Sequence, residues 1–393
     1  MRQLYFAFLL CSLLVDAQNI KITDANFERA LIEQGYDFGN PDGFVSRDDV
    51  STITYLNISG QNIQDLSGLE AFESLQTLIA DNNAIENLDL SGNTLLKEVS
   101  IYNNNLVSID VSSNARLEKL NTFKNNLGYI DLTNNRNLTY LAVADNNLTE
   151  LDLYNNKQLQ TLYCQDNQLN TLVLSNTPEL KIVNCEYNNI VSLELQNDAK
   201  LEMLNASNNN IKNLDLSTNV ALTQVNVMYN AITELDLSAN SALNAILVGY
   251  NNLTSLNIRN GNNDNIQIFR SEGNEGLECI TADNSIAESN AENAMGRWNK
   301  DYNTGFSANC KALQKNNIVA KSFSFFIGQD KTLTVNSTQK ASLQILNLQG
   351  VAVISESLEE GLNAISLTNA LSDVYVLQIN SEYGTYTKKF ILN

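Results

Sequence analysis

The chain has 393 residues, and 17% of them are charged. Its formal net charge is −20, and it contains no histidine. The negative charge disfavours binding to nucleic acid and to anionic membrane surfaces, because both would repel the chain. The missing histidine excludes Ser-His-Asp triads, Cys-His pairs and histidine-based zinc sites, whereas carboxylate-only chemistry such as glycoside hydrolysis stays open.

The amino terminus has the features of an export signal. Arg2 supplies a positive charge, and residues 4–15 form an apolar stretch that is too short to span a bilayer. We expect cleavage after Ala17, which makes residues 1–17 a signal peptide. The alternative, a lipoprotein signal modified at Cys11, is disfavoured because a large residue precedes the cysteine. No other stretch is long and apolar enough for a transmembrane helix, so the chain is expected to be secreted or on the cell surface.

Residues 18–50 precede the repeats and are predicted to cap them. Asp24 is the expected N-cap of a short amphipathic helix, with Phe27, Leu31 and Ile32 on its inward side. The segment resembles the opening segment of secreted flavobacterial repeat proteins, in which an acidic loop follows the helix.

The loop after this helix could hold a cation. Asp37, Asn40 and Asp42 are the candidate calcium ligands, with Gly43 at the turn, but Phe38 stands where an EF-hand-like loop places its first Asp. A polar capping turn is therefore the preferred interpretation and calcium is the alternative. We expect no other metal and no cofactor.

The strongest pattern is an asparagine that returns every 21 residues, followed by apolar residues two and five positions later. The unit L-x-x-L-x-x-x-x-N-x-L-x-x-L-x-L resembles the leucine-rich repeat, which implies a mostly β solenoid with caps at both ends over residues 51–277. The asparagines in register are Asn83, Asn104, Asn125, Asn146, Asn167, Asn188, Asn209, Asn230 and Asn251.

One unit cannot bury its apolar side alone, so stacked units must share a core. Each asparagine is expected to bond backbone groups that a tight turn leaves unpaired. A second ladder, broken at Thr177 and Asp198, is predicted at Asn93, Asn114, Asn135, Asn156, Asn219 and Asn240. Two turns per coil predict extended segments on both faces, the second built from Leu-Asp-Leu triplets.

The cysteines beyond the signal fall into two groups. Cys164 and Cys185 share one repeat position and are expected to be buried free thiols, with a disulfide between them as the alternative. Cys279 and Cys310 flank a non-repeat segment, residues 278–312, that resembles the cap closing such solenoids. That resemblance predicts a disulfide between them, which an exported chain permits.

Short strands with alternating polarity follow a linker at residues 313–319 and fill residues 320–393. A strand ending at Gly350, the segment 371–375 and a basic terminal strand resemble, in this order, the carboxy-terminal sorting domain of the type IX secretion system of Bacteroidetes. The resemblance implies that this machinery exports the chain across the outer membrane. Asp373 departs from the family's usual glycine. The alternative is an ordinary small β-sandwich with an adhesive role.

Variable positions beside the ladder carry aromatic residues. Most lie one, two or four positions before a ladder asparagine, where side chains are expected to face outward. Exposed aromatic rings among asparagines suit the recognition of protein surfaces or sugars, although aromatic residues are also common in strands for propensity alone. The candidate ligand-binding residues are Tyr102, Phe123, Tyr140, Tyr163, Tyr187, Tyr229 and Tyr250.

An acidic row is predicted on the other face. A solvated edge is the preferred interpretation and cation binding is the alternative. The row consists of Asp89, Asp110, Asp131, Asp152, Glu194, Asp215 and Asp236.

Together these features predict a secreted or cell-surface binding or adhesion protein, not an enzyme, that recognises an extracellular protein or glycan. One alternative is a structural envelope or matrix component without a specific ligand. The other is a carbohydrate-active enzyme with two carboxylates, which would require an acid pair in a cleft.

Overall fold

The computed structural model describes residues 19–195, 199–284, 298–310, 322–328, 330–368, 370–371, 373–382 and 384–392. The predicted signal peptide, the linker at 313–319, Asp198 and part of the predicted carboxy-terminal cap lie outside these residues. The chain forms two compact units, one ending at Gly305 and the other beginning at Phe306. In the described ranges, no helix is both long and apolar enough to cross a membrane.

The amino-terminal cap combines two short strands with two helices. Its elements are β1 (Asn19–Lys21), α1 (Ala25–Glu33), β2 (Phe44–Ser46) and α2 (Arg47–Val50), with β1 antiparallel to β2. Asp24 caps α1 as predicted, because its side chain accepts hydrogen bonds from the N–H groups of Asn26 and Phe27. Phe27 and Leu31 are buried, whereas Ile32 is only half-buried. The helix therefore covers the open end of the core.

A parallel sheet with one strand per coil forms one face of the solenoid. Its strands in the described ranges are β3 (Tyr55–Asn57), β4 (Thr77–Ile79), β5 (Glu98–Ser100), β6 (Lys119–Asn121), β7 (Tyr140–Ala142), β8 (Thr161–Tyr163), β10 (Ile182–Asn184), β12 (Met203–Asn205), β13 (Gln224–Asn226), β15 (Ala245–Leu247), β17 (Ile268–Arg270) and β19 (Trp298–Asn299). We call this sheet the front sheet. The central residue of each three-residue strand from β3 to β17 is apolar and buried, so the first and third residues face outward.

The second face is less regular than the sequence predicts. It pairs β9 (Thr171–Val173) with β11 (Ser192–Glu194), and separately joins β14 (Glu234–Asp236), β16 (Ser255–Asn257), β18 (Cys279–Thr281) and β20 (Gly305–Ser307). In the amino-terminal half, one isolated bridge joins Asp89 to Asp110. Strands β9, β11, β14 and β16 bury their central leucines against the same core as the front sheet.

The first asparagine ladder links neighbouring coils by hydrogen bonds, as predicted. The Nδ2 group of Asn167 donates to the carbonyl of Val143 at 2.9 Å and to that of Cys164 at 3.2 Å, while its Oδ1 accepts the N–H of Leu148 at 2.9 Å. The other ladder members repeat this pattern along the solenoid. Each amide therefore satisfies backbone groups that the turn leaves unpaired.

The asparagines of the second ladder are also buried, but their side chains make a different set of hydrogen bonds. The Nδ2 group of Asn114 donates to the carbonyl groups of Leu90 and Asn93, at 3.1 and 2.9 Å. Its buried Oδ1 accepts no hydrogen bond within the described part of the chain. Thr177 fills the same buried position in its coil and bonds the carbonyl of Leu174 through its hydroxyl. At Thr177 the predicted break in this ladder is therefore a substitution that keeps a hydrogen bond within the turn.

The cysteines match their predicted states. Cys164 and Cys185 are free thiols that are fully buried. Burial raises the pKa of the Cys185 thiol to about 12, so it stays protonated and unreactive at neutral pH. Cys279 and Cys310 form the predicted disulfide.

The indole of Trp298 stacks on Phe269 with ring centroids 4.8 Å apart.

The second unit contains two antiparallel sheets around one core. One sheet orders β21 (Phe323–Ile327), β22 (Thr332–Ser337) and β25 (Gly361–Ser366), and the other orders β24 (Ala352–Leu358), β23 (Ala341–Leu346), β26 (Asp373–Ser381) and β27 (Gly384–Leu392). Apolar residues from both sheets meet in a shared cluster that includes Leu333, Leu343 and Leu377. The hydroxyl of Tyr375 donates to the carbonyl of Leu371 at 3.0 Å.

Candidate ligand-binding face

The outward residues of the front sheet form two columns, one from the first and one from the third residue of each strand. Apart from the exposed Tyr55 at its start, the first column is polar in the amino-terminal half, and Lys119 pairs there with Glu98 at 3.4 Å. From β7 onward it includes Tyr140, Ile182 and Met203, the last with 39% of its surface exposed. A stretch of half-buried and exposed apolar side chains on a protein with a formal net charge of −20 is a candidate contact surface.

Sequence reasoning missed most of this apolar stretch. Ile182, Met203 and Ile268 each lie six positions before a ladder asparagine or its equivalent, Asn274. The same 21-residue period could have revealed them, but only Tyr140 was selected from this column. Ile182, Met203 and Ile268 lie on the same face of the front sheet as the predicted Tyr163.

A shallow depression of about 360 Å³ lies on the front sheet between Tyr163 and Leu247. Ile182 and Met203 contribute apolar walls, and three asparagines contribute polar groups, namely Asn184, Asn205 and Asn226. The Oδ1 of Asn205 accepts bonds from the N–H and hydroxyl of Ser207, at 3.3 and 3.0 Å. Its carbonyl oxygen is thus held in place, and its Nδ2 group donates to no other residue within the part of the chain that the structure describes.

A column of residues with left-handed backbone borders the front sheet. Each lies one position before a ladder residue, and their φ angles range from 50° to 57°. The column, which we call the left-handed edge, contains Asn82, Asn103, Lys124, Asp145, Asp166, Tyr187, Asn208, Tyr229 and Tyr250. Asparagine and aspartate tolerate this conformation through local hydrogen bonds, whereas other L-residues lose about 1–2 kcal/mol. Tyrosine at three of these positions is therefore unfavourable for folding alone.

The predicted aromatic residues form three pairs and one single ring. Tyr102 and Phe123 stack with centroids 5.2 Å apart, and Tyr140 meets Tyr163 edge to face at 5.9 Å. These four side chains are half-buried. Tyr229 and Tyr250 stack at 4.5 Å with planes 6° from parallel, and both rings are exposed.

Tyr187 stands apart from these pairs and is the most exposed member of the candidate set, at 56%. The structure thus places Tyr187, Tyr229 and Tyr250 together on the left-handed edge. Tyr140 and Tyr163 lie on the front sheet, and the Tyr102–Phe123 stack lies nearer the amino-terminal end.

Carboxylates gather beside these rings. Asp145 and Asp166 occupy the left-handed edge on neighbouring coils, and Glu186 precedes Tyr187, with one carboxylate oxygen 3.2 Å from the hydroxyl oxygen of Ser207. Loss of solvent contact raises the pKa of Asp166, and the charges of Asp145 and Glu186 raise it further. The carboxylates of Asp145, Asp166 and Glu186 therefore create a region of negative potential on the surface.

The acidic row on the second face has a local structural role. Oδ1 of Asp110 accepts the N–H of Ser112 at 2.9 Å, and Asp89, Asp131, Asp152, Asp215 and Asp236 make the same bond to the residue two positions later. Bonds from the hydroxyl and N–H of that residue lower the pKa of Asp110. In the described ranges no cluster of acidic or cysteine side chains has the geometry of a metal site.

The predicted calcium loop is organised by a protein carboxylate. Glu28, which is buried, accepts the N–H groups of Asp42 and Gly43, and Asp42 Oδ1 accepts the N–H of Phe44 at 3.0 Å. Asp37 Oδ1 bonds the N–H of Phe38 at 2.8 Å. Calcium binding at Asp37, Asn40 and Asp42 stays a prediction.

Comparison with known families identifies the second unit. Residues 329–393 match the family described as "Secretion system C-terminal sorting domain". This match confirms the predicted sorting domain and indicates an exported protein with a surface or secreted location.

Comparison with solved structures identifies the solenoid as a leucine-rich-repeat fold. The functional domain of InlJ from Listeria monocytogenes, whose structure is described as including a cysteine ladder, is 21% identical with a TM-score of 0.59, over 96% of this chain and 99% of that one. The internalin InlF from the same organism is 19% identical with a TM-score of 0.55, over 73% and 91%. A comparison with curated proteins gives no match.

A plant receptor shares the fold as well. The ectodomain of the receptor kinase GASSHO1/SCHENGEN3 from Arabidopsis thaliana, solved in complex with CASPARIAN STRIP INTEGRITY FACTOR 2, is 18% identical with a TM-score of 0.51, over 60% of this chain and 33% of that one. At these identities the likeness establishes the fold alone.

Proposed function

We propose that the protein is an exported, non-enzymatic binding protein that recognises an extracellular protein or glycan through its front sheet and left-handed edge. The observation that carries the proposal is the set of exposed tyrosines at positions 187, 229 and 250, held in a backbone conformation that tyrosine disfavours. Residues kept at a cost to folding cluster at functional sites. Asn208, on the coil between Tyr187 and Tyr229, shows that asparagine fits the same backbone conformation, so folding alone does not require tyrosine at these positions.

The front sheet adds a second line of support. Ile182 and Met203 stand outward beside asparagine donors, which gives a small apolar area with fixed polar groups. Ligand sites commonly combine these two features. The solved relative GASSHO1/SCHENGEN3, which carries a bound factor in its structure, supports a binding role for this fold by analogy only.

The proposal is tested with the full-length protein on arrays of glycans and extracellular proteins, followed by affinity measurement for each hit. Met203→Glu places a charge on the front sheet. Val173→Glu is the matched control, because Val173 is an outward strand residue of the second face with a similar exposure of 46%. We expect Met203→Glu to weaken binding at least tenfold and Val173→Glu to leave it within twofold.

The alternatives give different outcomes. Loss of binding with Val173→Glu but not with Met203→Glu would move the site to the second face. An absence of hits on every array would favour the structural component without a ligand. A carbohydrate-active enzyme would release reducing sugar from a polysaccharide; the carboxylates of Asp145 and Asp166 lie on an exposed edge and not in a cleft, so we expect no release.

A further inference from the structure

The tyrosines of the left-handed edge leave one position without a ring. Tyr229 and Tyr250 stack on neighbouring coils, whereas Tyr187 lies two coils before Tyr229 and the coil between carries Asn208. These four residues have φ angles between 50° and 56°, so their side chains leave the edge in the same direction. Parallel strands lie about 4.8 Å apart, which places the coils of Tyr187 and Tyr229 about 9.6 Å apart.

This separation is about twice the spacing of an aromatic stack. A flat group above Asn208 would lie about 4.8 Å from each tyrosine ring, close to the 4.5 Å that separates Tyr229 from Tyr250. Asparagine is too short to fill the space between two tyrosine rings. The stack is closed at its other end, because a Cβ on Gly273 would come within 2.6 Å of the Tyr250 ring. The open ring faces are therefore those of Tyr187 and Tyr229.

The surroundings of this gap are acidic. Glu186 is next to Tyr187, and Asp166 and Asp145 precede it on the left-handed edge, with Lys124 one coil further away. Among the described residues, none of the three carboxylates forms a salt bridge. Loss of solvent contact and, to a smaller extent, repulsion by Asp145 and Glu186 already raise the pKa of Asp166. A bound cation would relieve this repulsion.

Extending the proposed function, on which this inference rests, we propose that the gap binds the guanidinium group of an arginine from a protein ligand. The guanidinium lies between the rings of Tyr187 and Tyr229, with Glu186 as its nearest carboxylate. Asp166 lies one coil before Tyr187 and adds to the negative potential. It is flat, permanently charged, and stacks on aromatic faces while pairing with carboxylates. Lysine lacks the flat group, and a neutral sugar lacks the charge.

The test uses the full-length protein and a fluorescein-labelled Gly-Ser-Arg-Ser-Gly peptide, with fluorescence anisotropy as the readout. Three further peptides replace the arginine with lysine, with citrulline or with norleucine. We expect the arginine peptide to bind at least about fivefold more tightly than each of them, because one cation–π contact at an exposed site contributes a factor of about two to five and the gap offers two.

Variants of the protein locate the site. Tyr187→Ala and Tyr229→Ala should each weaken the arginine peptide about fivefold. Tyr154→Ala is the matched control, because Tyr154 is equally exposed at 59% and lies beside the acidic row on the second face. Asn208→Tyr should abolish binding, because a third ring fills the gap. Thermal unfolding of each variant verifies that it is folded.

Two outcomes would overturn the inference: equal binding of the arginine and citrulline peptides, or wild-type binding by Asn208→Tyr. Binding of methyl glycosides that Asn208→Tyr blocks, without binding of the arginine peptide, would assign the gap to sugars. If array ligands are lost with Met203→Glu while the arginine peptide does not bind, the proposed function stands and only the arginine site fails.

Discussion

Replacing Asn167 with alanine tests how the ladder holds the coils together. Asn167 is 8% exposed, and its Oδ1 is the acceptor for the N–H of Leu148 on the preceding coil. The carbonyl groups of Val143, Cys164 and Gln165 accept from its Nδ2. Each has a second donor, namely the Nδ2 of Asn146, the Nδ2 of Asn188 and the N–H of Asp145. Alanine therefore leaves the Leu148 N–H as the one buried group without a partner.

The expected loss of stability follows from these hydrogen bonds. A buried N–H that loses its partner costs about 1–3 kcal/mol, and each of the two hydrogens of the Nδ2 group gives up a contact worth about 0.5 kcal/mol, at the low end for a hydrogen bond. We expect Asn167→Ala to lower the free energy of unfolding by about 2–4 kcal/mol. Asn189→Ala is the control, because Asn189 is exposed and lies just beyond the next ladder asparagine; its change should stay within about 0.5 kcal/mol.

Urea unfolding of the full-length protein, followed by far-ultraviolet circular dichroism, measures the change. Amide hydrogen exchange at Leu148 gives a local readout, and its protection should fall together with the stability. A loss below about 0.5 kcal/mol, with the Leu148 amide still protected, would refute the role assigned to the ladder.

Other substitutions follow from the same contacts. Tyr187→Asn should be about 1 kcal/mol more stable than Tyr187→Ala in urea, because asparagine tolerates left-handed backbone. Glu28→Ala should cost about 2–4 kcal/mol, because it leaves N–H groups of the adjoining loop unpaired. Local hydrogen bonds lower the pKa of Asp131, so the stability that it contributes is present above its ordinary pKa of 3.8 and is lost as the pH falls through the lowered value. Asp131→Ala should flatten this acid dependence. Replacing Cys279 and Cys310 with serine should cost roughly 3–4 kcal/mol.

Each of these predictions has a contrary result. Equal stability of the two Tyr187 variants would remove the argument from backbone strain. An unchanged cap after Glu28→Ala, judged by hydrogen exchange in α1, would contradict the role of that carboxylate. An acid dependence of Asp131→Ala equal to that of the wild type would contradict the role of the Asp131 hydrogen bonds, and Asp131→Asn, which keeps the turn acceptor without its charge, is the control. Serine variants as stable as wild type would show that the disulfide is dispensable.

The repeat register and both ladders could be predicted from the sequence, because their chemistry demands the same residue in every coil. Asn167 and its equivalents must each bond backbone above and below, so the period is visible without a structure. Cys164 and Cys185 were placed correctly for the same reason, since they share one core position in consecutive coils.

The binding face was less predictable, because its positions share a backbone conformation and not a residue type. The left-handed edge accepts asparagine, aspartate, lysine and tyrosine, so no composition marks it. Positions two before each ladder asparagine were expected to face outward, but Ala144 and Ser207 are buried, since the strand ends after three residues and the chain turns. On the second face, aspartates such as Asp110 bond their own backbone and end the extended segments early.

Site-directed photo-cross-linking tests the central claim most directly, namely that the ligand binds the front sheet. A benzophenone side chain is introduced at Gln224, an exposed first residue of β13, or at Ser255, the exposed first residue of β16 on the second face. Each full-length variant is irradiated with a ligand identified on the arrays. The account predicts a cross-linked product from position 224 and none from position 255. A product from position 255 alone would contradict it and place the ligand on the second face.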